Sequence, residues 1–177
     1  MATTTHLRKR HRSPRPVRVF IAWLPAIIGV CCIIGESTEA FSARNTSSWL
    51  RPIVQRLFGV MADSTWETIH HLLRKTGHFT GYGTVCFTFL RAWLHTLDRR
   101  GRMTLLAWRL QSSILAIFST AIVASCDEFH QSFLPDRTGT PQDVLLDMIG
   151  ACILQLLFWA VMFVVGKVRH RPDLETV

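Results

Sequence analysis

Four long apolar stretches constrain the fold of this chain more than any other feature of its sequence. They run over Val17–Gly35, about Thr76–Leu94, about Met103–Ala124 and about Val144–Gly166. Roughly 20 apolar helical residues are needed to cross a bilayer, and each stretch has about that length. The runs are continuous rather than alternating, which argues against a β-barrel. The sequence therefore predicts an all-α integral membrane bundle of four transmembrane helices.

The net charge of +8 comes largely from basic residues that cluster at three places. In a chain that crosses four times these clusters lie on one side, which the positive-inside rule makes the cytoplasmic side. We therefore predict a multi-pass protein of the cytoplasmic membrane with both termini in the cytoplasm. The basic residues lack an interleaved aromatic platform, so no nucleic-acid partner is predicted. The clusters are Arg8, Lys9, Arg10, Arg12, Arg15 and Arg18; Arg99, Arg100 and Arg102; and Lys167, Arg169 and Arg171.

This topology divides the chain into three regions. We expect residues 1–16 to form a basic, disordered cytoplasmic tail, residues 17–166 a four-helix transmembrane domain, and residues 167–177 a second cytoplasmic tail. The first apolar stretch has the charged front of a cleaved signal peptide, but it is longer than a usual signal core, which favours a retained anchor. The external loop Glu36–Arg74 contains a short amphipathic helix within Trp49–Val60. That helix either lies on the outer membrane surface or packs onto the bundle.

Polar residues interrupt the apolar pattern near the predicted outer ends of segments two, three and four. Ionisable groups at a membrane boundary are costly, so they indicate a functional site. Segment two starts at the outer face, segment three ends there and segment four starts there, so the three polar sets meet at one depth. The ligand-binding candidates are Lys75, His78, Tyr82, Asp127, Glu128, His130, Gln131, Arg137, Asp143 and Asp147.

Helical spacing predicts how the polar residues of segment two are presented. Lys75, His78 and Tyr82 are three and four residues apart and form one stripe. Beside that stripe, Gly77 and Gly81 form a G-x-x-x-G pair, which predicts close approach of a neighbouring helix. The stripe is therefore expected to face the bundle rather than lipid.

The end of segment three carries two adjacent carboxylates. Asp127, His130 and Gln131 are expected to share a face of the helix, with Glu128 turned partly aside. Adjacent carboxylates repel each other and lose solvation, so they require cationic partners. The available partners are Lys75, His78, His130 and Arg137.

Segment four begins with a helix-start pattern, in which Thr140 is the cap and Asp143 supports a capping box. A helix N-terminus beside Lys, His and Arg side chains suits a phosphate or a carboxylate. Acid–base chemistry is a second possibility, for which the catalytic candidates are Asp127, Glu128, His78 and His130. The H-E-x-x-H spacing is absent and a lysine lies near the mixed carboxylates, so no metal is predicted. Cofactor-binding motifs are also absent from the sequence, so no cofactor is predicted.

These motifs resemble the VanZ-like family of small bacterial membrane proteins, over about Pro25 to Val165. One departure is Asp147, which stands where the family usually has Asn. The resemblance implies a polytopic membrane protein of the cell envelope, and it implies no particular reaction. The founding member of the family is linked to resistance to the glycopeptide antibiotic teicoplanin. The resemblance rests on Lys75-Thr-Gly-His78 with Tyr82, on Asp127-Glu128-Phe-His130-Gln131, and on Phe133, Pro135, Arg137, Asp143 and Gly150.

Three functions remain open from the sequence. One is a site at the outer membrane face that binds an anionic lipid, or the headgroup of a lipid-linked or cell-wall precursor, and affects envelope properties or glycopeptide susceptibility. Another is a membrane enzyme that acts on a lipid-linked phosphate or an ester. The third is a scaffold without a ligand, in which the charges only lock the helices together. Membrane lipids are the predicted partners, and the oligomeric state is left open.

Overall fold

The computed structural model describes residues 16–97, 103–135, 137 and 139–169, with side chains up to residue 166. All of the long elements in these ranges are α-helices, which confirms the predicted all-α fold. Both predicted tails lie outside the described residues, except for the helical residues 16 and 167–169. The basic cluster at 99–102 also lies outside them. The helices are α1 (Pro16–Glu36), α2 (Ala43–Phe58), α3 (Asp63–Thr96), α4 (Leu105–Gln131) and α5 (Pro141–Arg169), with a 3₁₀ turn at Glu39–Phe41.

Three of the helices, α1, α4 and α5, are long and apolar enough to cross a membrane. They carry the first, third and fourth predicted segments, and α4 continues past the predicted end at Ala124 to Gln131. The second predicted segment lies in α3, which has sufficient length but does not reach the same apolarity. Four transmembrane helices therefore stay a prediction, whereas the described part of the chain contains three helices that are long and apolar enough to cross a membrane.

Helix α3 is the centre of the bundle, because it packs against α1, α4 and α5. Its 34 residues make it about 51 Å long, which exceeds a hydrocarbon core of about 30 Å. Tyr82, Cys86 and Leu90 are spaced by four residues and are almost completely buried on one face of it. Small residues of the neighbouring helices, Ala26 of α1, Ala116 of α4 and Ala151 of α5, are buried in the same core and allow close packing.

Large apolar side chains cover the outside of the bundle. An apolar surface of this extent is unusual for a protein in water and is typical of one that contacts lipid. These residues lie on the same helices that have the length and composition of membrane spans. Representative exposed residues are Phe20 and Ile28 on α1, Ile114 and Phe118 on α4, and Leu156 and Val161 on α5.

Two glycines permit close contact between α3 and α5, and neither belongs to the predicted G-x-x-x-G pair. A Cβ at Gly150 would overlap the backbone carbonyl of Phe79, and a Cβ at Gly83 would overlap the side chain of Leu154. A Cβ at Gly77 would meet nothing within 4 Å, and one at Gly81 would only touch Ile33 at 4.0 Å. The prediction for Gly77 and Gly81 was therefore wrong, because α5 approaches α3 most closely at Phe79 and Gly83, which lie on another face of the helix.

Helix α2 is the predicted amphipathic helix of the first external loop, and it begins earlier than Trp49. Its polar side is joined to the start of α3, where Trp66 Nε1 donates to Ser47 Oγ at 2.7 Å. Its apolar side chains, by contrast, are exposed: Trp49 and Ile53 are each 51% exposed and Leu57 is 72% exposed. The apolar face of α2 is thus not packed onto the described bundle.

Candidate functional site

The polar stripe of α3 meets the first turns of α5. Lys75 Nζ forms an ion pair with Asp143 Oδ1. One turn further along, His78 Nδ1 lies 3.4 Å from Asp147 Oδ1. Two residues of the predicted stripe, Lys75 and His78, therefore each lie beside one of the two predicted carboxylates of segment four.

The same stripe meets α4 at Asp127. Tyr82 donates its hydroxyl hydrogen to Asp127 Oδ2 at 2.7 Å, and Gln131 Nε2 donates to the same oxygen at 2.8 Å. All three side chains are buried. The carboxylate of Asp127 is thus held by two neutral donors rather than by the cations that the sequence suggested.

Glu128 joins α4 to the start of α5. Its Oε2 accepts a hydrogen bond from the backbone N–H of Thr140 at 3.0 Å. The side chain of Thr140 in turn accepts from the backbone N–H of Asp143 at 3.3 Å, so the predicted cap is confirmed. Glu128 is buried rather than turned aside, because the start of α5 lies directly against it.

Arg137 connects the loop before α5 to α4 and to the end of α1. One guanidinium nitrogen donates to Gln131 Oε1 at 3.2 Å, and the other donates to the backbone carbonyls of Glu36 and Thr38. Burial, and then the charge of nearby Arg74, lower the pKa of Arg137. The acceptors of this guanidinium are all neutral, so its positive charge has no direct counterion among the described residues.

His130 is the predicted site residue that the structure separates from the others. The residue is exposed, and its Nδ1 lies 3.0 Å from Ser37 Oγ, just after the end of α1. Asp127, Glu128 and Gln131 form the buried face of this turn instead. The expectation that His130 shares the buried face of Asp127 was wrong. The start of α5 packs against the side of α4 that carries Glu128, so Glu128 is buried and His130 is not.

Two neighbouring cavities open onto this polar cluster. The smaller has a volume of about 140 Å³ and is lined on one side by Tyr82 and Asp127. The larger has a volume of about 360 Å³ and extends towards Lys75 and Asp143. Both cavities share four lining residues, which are Arg74, His78, Gln131 and Arg137.

Arg74 is the main site residue that the sequence reasoning missed. Its guanidinium donates to the backbone carbonyl of Phe41 at 3.0 Å and lines both cavities. Burial lowers the pKa of Arg74, and Asp143 opposes that effect. The sequence could have indicated Arg74 as a site residue, because it lies four residues before His78 and therefore on the same side of α3.

Several buried polar atoms in the cluster have no hydrogen-bond partner among the described residues. They comprise His78 Nδ1, Asp127 Oδ1, Arg137 Nε and both carboxylate oxygens of Asp147. Buried polar groups are nearly always paired, so each of these atoms marks a place where a ligand, an ion or water is expected. His78 and Asp147 also belong to a group of potential metal ligands among the described residues, which Glu128 completes.

Comparison with known proteins agrees with the motifs. A family model described as VanZ/LLP1 matches residues 20–164, a range that contains all of the site residues above. The resemblance drawn from the sequence motifs is thereby confirmed. Neither a curated protein nor a solved structure matches this chain.

Proposed function

The chain belongs to the VanZ/LLP1 family, and from this premise we propose that it binds an anionic headgroup in the two cavities between α3, α4 and the loop before α5. The ligand class is a phosphate-bearing membrane lipid or a lipid-linked envelope precursor. Binding would affect the properties of the envelope. Because the founding member of the family is linked to teicoplanin resistance, the expected phenotype is a change in susceptibility to glycopeptide antibiotics.

The observation that carries this proposal is the pair of arginines shared by both cavities. Arg74 and Arg137 direct their guanidinium groups at neutral oxygens, and neither makes an ion pair with a carboxylate in the described part of the chain. Arginine is the preferred side chain for holding phosphate, because its planar fork can donate two hydrogen bonds at once. A phosphate between these residues would supply the missing counterion.

The proposal includes a topology in which α3 is the fourth crossing. Helix α3 lies against all three apolar helices, and its polar stripe of Lys75, His78 and Tyr82 contacts two of them, so its position does not require a wholly apolar surface. With both termini in the cytoplasm, the cavities then open near the outer leaflet of the cytoplasmic membrane. The exposed apolar face of α2 supports a location on that outer surface, since such a face is stabilised by lipid.

Thermal unfolding of the purified protein in neutral detergent tests the binding. Added phosphatidylglycerol or undecaprenyl phosphate should raise the unfolding temperature more than phosphatidylcholine does, because a ligand of the folded state stabilises it. The charge-removing variants Arg74→Gln and Arg137→Gln should lose this difference. Inorganic phosphate is tested in parallel, and it separates a requirement for the lipid from affinity for phosphate alone.

Arg91→Gln is the matched control for these variants. Arg91 also donates to backbone carbonyls, those of Ile21 and Ala22, but it does not line either of the two cavities. This control should keep the selective stabilisation by anionic lipid. Equal stabilisation by phosphatidylcholine in the wild type, or an unchanged response in Arg137→Gln, would contradict the proposal.

A second candidate function is a membrane enzyme that acts on a lipid-linked phosphate or ester. It is favoured by the unpartnered atoms Asp127 Oδ1 and His78 Nδ1, which belong to residues lining the smaller cavity. Asp127 or Glu128 would serve as base, His78 would carry a proton, and Arg137 would hold the anion. An accumulating lipid intermediate in a deletion strain supports this candidate, whereas an unchanged lipid profile counts against it.

A further inference from the structure

Asp147 is buried completely, with 0% of its side chain exposed. Neither of its carboxylate oxygens has a hydrogen-bond partner among the described residues. An ionised carboxylate in such a position has lost its hydration and gained no donor in exchange. Its environment is therefore incomplete without a proton or a cation.

Two further side chains, from two other helices, approach Asp147. His78 of α3, Glu128 of α4 and Asp147 of α5 each offer one ligand atom, and these atoms all lie within 4.8 Å of one another. His78 Nδ1 is 3.4 Å from Asp147 Oδ1, and it also lacks a hydrogen-bond partner. Two ligands of a tetrahedral ion with bonds of about 2.1 Å are about 3.4 Å apart, so this pair already has the spacing of one edge of a coordination shell.

In the described part of the chain, neither Lys75 nor Arg137 neutralises this group. Lys75 is paired with Asp143, and Arg137 donates to neutral oxygens of Gln131 and of the backbone. From the described residues, Glu128 itself receives only the neutral backbone N–H of Thr140. A metal ligand histidine is neutral, and two buried carboxylates beside a neutral His78 have an excess of negative charge that a divalent cation would balance.

We propose that His78, Glu128 and Asp147 bind one divalent metal ion. One imidazole nitrogen with two carboxylate oxygens suits Zn²⁺ or Mn²⁺. Three protein ligands leave at least one coordination position for water or another ligand. His78 and Glu128 both line the larger cavity, which provides a path for the ion.

This inference revises the sequence-based expectation that no metal is bound. That expectation gave weight to a lysine near mixed carboxylates, because its charge repels a cation. In the structure the charge of Lys75 is neutralised by Asp143 rather than directed at the three ligands. The metal ligands differ from the arginines of the headgroup proposal, although His78 and Glu128 also line the larger cavity.

Metal titration of the purified protein in neutral detergent tests the site. The protein is stripped with EDTA and titrated separately with ZnCl₂ and MnCl₂ in a calorimeter. We expect saturation at one ion per chain for at least one of the metals, and at least tenfold weaker binding by Asp147→Asn. Asp63→Asn is the matched control, because it removes the same charge from a side chain that is 83% exposed, and it should bind as the wild type does.

A spectroscopic measurement identifies the nitrogen ligand. Pulsed electron paramagnetic resonance of bound Mn²⁺, or of Co²⁺ in place of Zn²⁺, should show coupling to ¹⁴N in the wild type and none in His78→Gln. The wild-type spectrum decides the question even if Asp147→Asn fails to fold. The proposal is overturned if the wild type saturates with neither metal, if its bound ion lacks ¹⁴N coupling, or if folded Asp147→Asn binds with wild-type affinity.

Discussion

The hydroxyl of Tyr82 on α3 and the carboxylate of Asp127 on α4 form a buried hydrogen bond of 2.7 Å. Tyr82 is the only tyrosine of the chain, and only 1% of it is exposed. The bond joins two helices at the depth of the candidate site. It therefore contributes to the stability of the bundle and to the shape of the smaller cavity, which both residues line.

Removing this hydroxyl should destabilise the bundle. Tyr82→Phe leaves Asp127 Oδ2 with Gln131 as its remaining donor, and the loss of a buried partner costs about 1–3 kcal/mol. The free energy of unfolding, measured by denaturant in mixed micelles, should fall by that amount. Thr84→Val is the control, because its exposed hydroxyl donates only within its own helix. An equal effect of both changes would argue against a special role for the Tyr82 bond.

The two sets of glycines should respond oppositely to alanine. Gly150→Ala forces a Cβ against the carbonyl of Phe79 and should cost more than about 1 kcal/mol of stability, because the helices must separate. Gly77→Ala meets nothing within 4 Å and should be neutral, or stabilising by up to about 1 kcal/mol, because alanine is the better helix former. Unfolding in micelles measures both, and greater damage from Gly77→Ala would refute the observed packing.

Stability below neutral pH should depend on His70. Burial, and then the charge of Arg74, lower the pKa of His70 from its ordinary value of 6.5. The neutral ring lies 3.0 Å from Thr46 and stacks on Trp66, so folding favours the unprotonated form. The stabilising contribution is complete above about pH 6.5 and is lost as the pH falls through the lowered pKa, because the unfolded chain then binds more protons.

Unfolding temperatures between pH 7.5 and pH 5 test this dependence. Between pH 7.5 and pH 5, His70→Gln should lose less stability, or gain more, than the wild type does. The exposed neighbour provides a control, since His71→Gln should keep the wild-type profile. A pH profile of His70→Gln that coincides with the wild type would rule out this histidine as the cause.

The contribution of the charged residues to function should be separable from their contribution to stability. Lys75→Ala, Asp127→Ala and Arg137→Ala, produced at equal protein level, should each change sensitivity to envelope-acting antibiotics. Arg91→Ala should not, although it too removes a partly buried hydrogen bond. A scaffold without a ligand predicts instead that sensitivity follows the unfolding temperature of each variant, and unchanged sensitivity in all three would exclude a binding site.

Helical periodicity was sufficient to predict the stripe of α3. Lys75, His78 and Tyr82 do face neighbouring helices, and they contact Asp143, Asp147 and Asp127 respectively. The residue spacing carries this information because side chains three and four positions apart project from the same side of a helix. The start of α5 was equally predictable, since its capping is local in sequence.

Contacts that depend on the rotation of one helix against another could not be predicted. His130 and Glu128 are two residues apart, and only the position of α5 decides which of them is buried. Gly77 and Gly83 present the same problem, because the sequence shows where a small residue lies but not which neighbouring helix it faces. Arg74 was missed for a different reason, since it falls just before the apolar segment and resembles an ordinary boundary residue.

The central position of α3 has a consequence for how the protein is made. Synthesis proceeds from the N-terminus, so α3 is complete before α4 and α5 exist. Tyr82 and His78 must therefore wait for Asp127 and Asp147, the partners that later helices supply. In the four-crossing topology that we propose, α3 is thus retained by helices that arrive after it, and a chain stopped before α4 would expose its polar stripe to lipid.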